Sequence, residues 1–229
     1  AYGWNNIKDS SLDRKKQKNP LAQELAAQPV VLYGMLSLLC IVAIGIGIGI
    51  GGVAIIAIIA QLLASAVYSG GPRLKCVPFI GTLLNIFIFA PLCFFGTPDL
   101  PRDITFYLLV CLFGALLIQN QFIHEIMDFD EDRRGGARTT TVVLGKKFSV
   151  FASAILGLVS TALIIAIGAS SDRLWLFLLL GAPLTLFSIV VSRTLLHASD
   201  QARMFRSIQR ALGFTLGAAA WLINYSGRL

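Results

Sequence analysis

Charge is what this sequence has least of. Only 14% of its 229 residues are Asp, Glu, Lys or Arg, against about a quarter in a soluble domain. Hydrophobic residues make up 56%, and the mean hydropathy is +0.76. A chain this apolar is neither disordered nor a soluble nucleic-acid binder, although its formal charge is +7. Metal-binding cysteine and histidine patterns are missing too. Cys40, Cys76, Cys93 and Cys111 lie far apart with no CxxC pair, and His124 and His197 stand alone, which excludes a zinc site of the usual spacing. Residues 1–28 lack the basic start and apolar core of a signal peptide, and Ala1 stands where a Met would begin a chain. The expectation is therefore a chain truncated upstream.

What is present is apolar sequence in membrane lengths. A bilayer core of about 30 Å takes about 20 helical residues, and seven stretches qualify, near 30–50, 52–68, 79–97, 104–127, 148–169, 174–195 and 208–225. They are near-continuous rather than alternating, so they predict helices and not barrel strands. The fold class is all-α, a polytopic transmembrane helical bundle forming one domain over 1–229. Gly45, Gly47, Gly49, Gly51 and Gly52 read as close helix packing and a turn. All but Arg102, Arg173 and Arg228 of the 19 basic residues fall on one side of these spans. By the positive-inside rule that side is cytoplasmic.

Two acidic clusters share that side. Asn5, Asp9 and Asp13 recur every four residues, and so do Asp128 and Asp132 within His124–Asp132. On helices each set occupies one face. Like charges one turn apart repel, a cost that a bound cation would offset. Hard oxygen donors without Cys or paired His favour Mg²⁺. Because Mg²⁺ takes one or two carboxylates and fills its octahedron with water and substrate phosphate, the clusters read as a clamp for a diphosphate. The stretch Tyr68-Ser69-Gly70-Gly71-Pro72-Arg73-Leu74-Lys75 is a turn followed by two bases. Lys75 and Arg73 could neutralise a leaving diphosphate, or simply anchor a helix end.

These residues resemble the UbiA superfamily of intramembrane prenyltransferases. Asn5 to Asp13 is similar to its NDxxDxxxD motif, Tyr68 and Lys75 to its YxxxxxxK loop, and Asp128 and Asp132 to its second DxxxD motif. Gly136, Arg138 and Thr139 follow as in its G-x-R-T continuation. The resemblance implies nine helices in the full fold, of which about seven plus the end of helix two are expected here. It implies a transferase that ionises an isoprenyl diphosphate with Mg²⁺ and passes the prenyl group to a lipophilic, usually aromatic, acceptor. Asn5, Asp9 and Asp13 would hold one Mg²⁺ and Asp128 and Asp132 the other. Lys75, with Arg73, would stabilise the departing diphosphate, Tyr68 would position it, and Asn5 and Arg138 would also bind substrate. A low-dielectric cavity would strengthen these contacts and keep water from the cation. The expected setting is a bacterial inner membrane with the site facing the cytoplasm, and no nucleic-acid partner.

Departures from the pattern bear on activity. Asn6 stands where the family usually carries Asp, and Glu125 falls on the leading acid of an extended second motif. Glu125, one turn from Asp128, could touch substrate. Asn120 and Gln121, polar within a span, could be functional or could join helices. His124 is read as a helix-end residue and His197 as a surface residue. Asp130 and Glu131 are read as facing water or Arg133 and Arg134, and Phe87, Phe89 and Phe122 as packing or lipid-facing rather than lining a prenyl channel. The competing class is a catalytically weakened membrane binding or scaffold subunit of the same fold, with Asn6 its main support. A transporter would place acids near the bilayer midplane on interrupted helices, whereas these lie at span ends.

Overall fold

The computed structural model describes residues 29–70, 73–89, 103–170, 174–197 and 201–225. The first acidic motif, with Asn5, Asn6, Asp9 and Asp13, lies outside them, as do Arg102, Arg173 and Arg228. The described residues form helices α1 (Pro29–Ile50), α2 (Gly52–Ser69), α3 (Ile80–Phe89), α4 (Ile104–Arg134), α5 (Thr140–Leu144), α6 (Lys146–Ser170), α7 (Leu174–His197) and α8 (Ala202–Tyr225), with a 3₁₀ turn at Leu74–Cys76. No strand occurs among them, as the continuous apolar runs predict. Each of the seven stretches carries a helix. Five of these, α1, α2, α4, α6 and α7, are long and apolar enough to cross a bilayer among the described residues. α3 is shorter, the rest of its stretch lying outside the described residues, and α8 begins with Arg203, Arg206 and Arg210.

The chain groups into two compact units, Ala1–Lys75 with Phe87–Asp99, and Cys76–Ile86 with Leu100–Leu229. In the first, α1 and α2 meet at Gly51, whose φ of 117° suits glycine. A side chain on Gly47 would strike Ile58, and its Cβ would lie 3.3 Å from the Ile55 backbone. These two glycines serve the turn and the close approach read from the sequence.

The second unit is a bundle of α4, α6, α7 and α8. One apolar cluster joins Leu112, Leu116, Ile164, Phe177, Leu184 and Leu216. Another joins Ile123, Ile126, Val150, Val191, Leu195 and Phe205, where the rings of Phe187 and Phe205 meet edge to face at 6.1 Å. Lipid tails are as apolar as Leu, so such helices associate through close packing and hydrogen bonds rather than through the hydrophobic effect. Both are present. A Cβ on Gly157 of α6 would overlap the Ser188 hydroxyl of α7. Gln209 Nε2 donates to the Leu116 carbonyl at 2.9 Å and to Gln119 Oε1 at 3.4 Å. Gln119 Nε2 in turn donates to the Ser153 carbonyl at 3.0 Å and to Ser188 Oγ at 3.3 Å. This buried network touches all four helices.

Candidate active site

α4 is the helix that carries the second acidic motif, and it outruns its apolar stretch. Asp103 caps its start, accepting from the Phe106 amide at 3.0 Å, and the helix continues past Met127 to Arg134. Gln121, Glu125, Asp128 and Asp132 are spaced four, three and four residues apart and so share a face. That face runs from the buried interior to the helix end. Glu125 is 4% exposed, whereas the Asp128 side chain is 22% exposed and lies 3.5 Å from His124 Nδ1. Asp132 is half-buried, Asp130 is exposed as expected, and Glu131 is half-buried.

The glycine after the motif has a mechanical reason to be there. Gly136 sits at φ 71°, the Ala137 amide donates to the Asp132 carbonyl at 2.9 Å, and the Gly136 amide donates to the Arg133 carbonyl at 3.3 Å. This is the paired 6→1 and 5→2 closure of a left-handed helix stop. The chain thereby ends α4 two residues past Asp132 and reverses, bringing Thr141 back alongside the helix. Arg138 lies exposed on the reversal, and Thr140 and Thr141 are buried at the start of α5.

The reversal delivers donors to Glu125. The Thr141 amide donates to Glu125 Oε2 at 2.8 Å. Gln121 Nε2 and Thr82 Oγ1 donate to Oε1, each at 3.1 Å. Thr82 of α3 also meets Thr140 Oγ1 at 2.8 Å, and Thr140 Oγ1 accepts from the Phe79 amide at 2.9 Å. Gln121 bonds within its own helix rather than joining helices, and Glu125 is held by the chain around it. Both carboxylate oxygens are engaged by the protein itself. Sequence reading missed Thr82, Thr140 and Thr141; their signal was three hydroxyls beside apolar spans, readable only once α3 and α5 are placed.

In the other unit, Tyr68 lies half-buried in the last turn of α2, Lys75 half-buried in the 3₁₀ turn, and Arg73 exposed with φ 47°. Phe79 too has a positive φ, 63°. Such backbone costs about 1–3 kcal/mol per residue and clusters where function fixes the chain. Phe122 is buried in the bundle, as a packing role requires, Phe87 is exposed, and His197 is exposed with Nδ1 2.9 Å from the Arg193 carbonyl. Among the described residues no three His, Cys, Asp or Glu side chains converge on a point that could hold a metal. Asp128 and Asp132 offer two hard oxygen donors, the share of its shell that Mg²⁺ takes from one protein element.

The fold and the carboxylate turn at a span end define an integral membrane protein of polytopic helical type. More narrowly, the UbiA prenyltransferase family model matches residues 1–221, and the chain belongs to that family. A digeranylgeranylglyceryl phosphate synthase from Pyrococcus horikoshii is 34% identical over 86 residues, 37% of this chain and 31% of that enzyme. The match thus spans about a third of that relative's length. A UbiA homologue from Archaeoglobus fulgidus solved with GPP and Mg²⁺ superposes with a TM-score of 0.68 at 14% identity, covering 97% of this chain and 81% of the other. The same homologue with DMAPP and Mg²⁺ gives 0.64 at 14% identity, over 95% and 82%. At these identities the likeness is one of fold.

Proposed function

We propose that the chain is a Mg²⁺-dependent integral-membrane prenyltransferase, one domain over residues 1–229, that ionises an isoprenyl diphosphate and passes the prenyl group to a lipophilic acceptor. The C–O bond to diphosphate breaks heterolytically, a bond to the acceptor forms, and diphosphate and the acceptor's proton leave. The observation that carries this reading is the Asp128–Asp132 turn, two carboxylates on one face at the open end of α4, in a chain of this family. Asp128 and Asp132 hold one Mg²⁺, and Asn5, Asp9 and Asp13 hold the other. When bound, the metal draws charge from the leaving diphosphate as a Lewis acid. Lys75 and Arg73 take up charge on the departing group, Tyr68 positions it, and Asn5 and Arg138 contribute to binding. Support for the substrate comes from the GPP and DMAPP bound to the Archaeoglobus fulgidus homologue. The basic asymmetry supports a site facing the cytoplasm, with a bacterial inner membrane as the proposed setting.

Membranes carrying the protein, incubated with radiolabelled geranylgeranyl diphosphate and Mg²⁺ or EDTA, test the reading. Aromatic compounds are offered as acceptors, together with a prenylated glycerol phosphate on account of the name of the Pyrococcus horikoshii relative. The expected result is label on one acceptor with Mg²⁺ and none with EDTA. Mg²⁺-dependent binding of the diphosphate without transfer to any acceptor would favour a scaffold subunit descended from the enzyme. No binding would overturn the site.

A further inference from the structure

We propose that Glu125 is a positioning residue, the terminus of a directed hydrogen-bond chain that holds the Asp128–Asp132 turn in register. The inference rests on the proposed metal role of that turn. Its polarity can be worked out from proton counts. The Phe79 amide can only donate, and it donates to Thr140 Oγ1. Thr82 Oγ1 spends its single proton on Glu125 Oε1, so in the Thr82–Thr140 contact the proton must come from Thr140. Every group then points one way, from Phe79 through Thr140 and Thr82 to Glu125. With Gln121 Nε2 on Oε1 and the Thr141 amide on Oε2, Glu125 accepts from three donors, the acceptor-only pattern of a carboxylate. Hydrogen bonds to a charged acceptor are roughly twice as strong as neutral ones.

What this chain joins explains its purpose. Glu125 stands three residues before Asp128 on the same face of α4. Its partners come from the start of α3, 43 residues away in sequence, and from the reversal that Gly136 creates after Asp132. The turn bearing Asp128 and Asp132, itself half-buried, is thereby gripped from both sides. A buried acid with three of its about four lone-pair sites taken by the protein is placed as a brace rather than as a metal ligand or a substrate contact. Groups of this kind that orient ligands typically change metal affinity or activity about 10–100-fold when removed.

The test is the Mg²⁺ dependence of two readouts, prenyl transfer and thermal stabilisation of purified protein by geranyl diphosphate. Glu125→Gln keeps the shape but sets an amide N–H₂ against at least one donor. The expected result is inserted, monodisperse protein whose half-saturating Mg²⁺ rises about tenfold in both readouts, with KM for geranyl diphosphate at saturating Mg²⁺ within about twofold. Thr82→Val should move the Mg²⁺ curve the same way by several-fold and Thr82→Ser should restore it; this pair decides the matter if Glu125→Gln fails to insert. An unmoved Mg²⁺ curve in Glu125→Gln, or in Thr82→Val, overturns the proposal. So does a turnover loss of about 10³-fold at an unmoved curve, the mark of direct contact with the reacting groups. Wild-type protein with neither transfer nor Mg²⁺-dependent stabilisation would sink the functional reading instead. Slow hydrogen exchange at the Thr141 amide, lost in Glu125→Gln, would then still report the brace.

Discussion

Two apolar helices of the same chain treat polar side chains in opposite ways. α1 has only Tyr33, Ser37 and Cys40 among its apolar residues and glycines, and it buries almost none of its spanning length. α4 buries about half of its own, and its buried face carries Gln119, Gln121 and Glu125, each hydrogen-bonded to another helix or to a neighbouring turn of its own. Hydropathy alone rates α1 the better span. In lipid every unsatisfied polar group costs several kcal/mol, so polar residues within a span mark the face turned to protein. The difference teaches which apolar helix turns a polar face to protein and which one carries almost none.

The comparison can be broken at the open end of α4 first. Asp128→Ala or Asp132→Ala should reduce Mg²⁺-dependent prenyl transfer about 10³-fold, the scale of losing several kcal/mol of metal-centred charge stabilisation. The variants should still insert, checked by membrane fractionation. Retained transfer would mean that the open end of α4 is as passive as α1. Next in size is the glycine contact. Gly157→Ala forces a methyl group onto Ser188 and to 2.9 Å from Gln119 Nε2, and should cost about 2 kcal/mol in thermal unfolding in detergent. Gly114→Ala, on buried α4 with nothing within 4 Å of the new Cβ, should gain up to about 1 kcal/mol. Equal effects at the two sites would mean that the bundle does not pack as described.

Gln209→Leu sharpens the comparison at smaller scale. It removes the interhelical donor to the Leu116 carbonyl and to Gln119 Oε1, and should cost about 1 kcal/mol, the size of an interhelical hydrogen bond in a membrane protein. A thermal unfolding midpoint equal to wild type would show that the network adds nothing beyond packing.

Much of this arrangement was legible in the sequence, and the exceptions share a cause. The seven stretches and their helical character follow from hydropathy, because a bilayer sets span length. Hydropathy is blind to helix that continues into polar sequence, so the span read as ending at residue 127 runs on to Arg134. It is equally blind to the five-residue helix at Thr140–Leu144. The four-residue period of Asp128 and Asp132 is local and was readable. The role of Glu125 was not, since its donors come from Thr82 and from a backbone amide at Thr141, which only tertiary folding supplies. Gln119 and Gln209 carried a readable signal, being polar within or beside spans, yet their partners are 34 to 93 residues away.

The smallest expected effect is the most exacting check on α1. Leu38 and Ile41 are 61% and 66% exposed, so truncating either removes little packing from the folded chain. In a bilayer or detergent micelle the unfolded helix remains among apolar chains, so the side chain passes from one apolar surrounding to another. Leu38→Ala and Ile41→Ala should therefore change stability by less than about 0.5 kcal/mol, as surface substitutions do, and leave prenyl transfer unchanged. A buried Leu or Ile truncated to Ala costs about 2–5 kcal/mol. A loss in that range at Ile41, read from thermal unfolding, would show that α1 presents this face to protein rather than to lipid, and the contrast with α4 would fall.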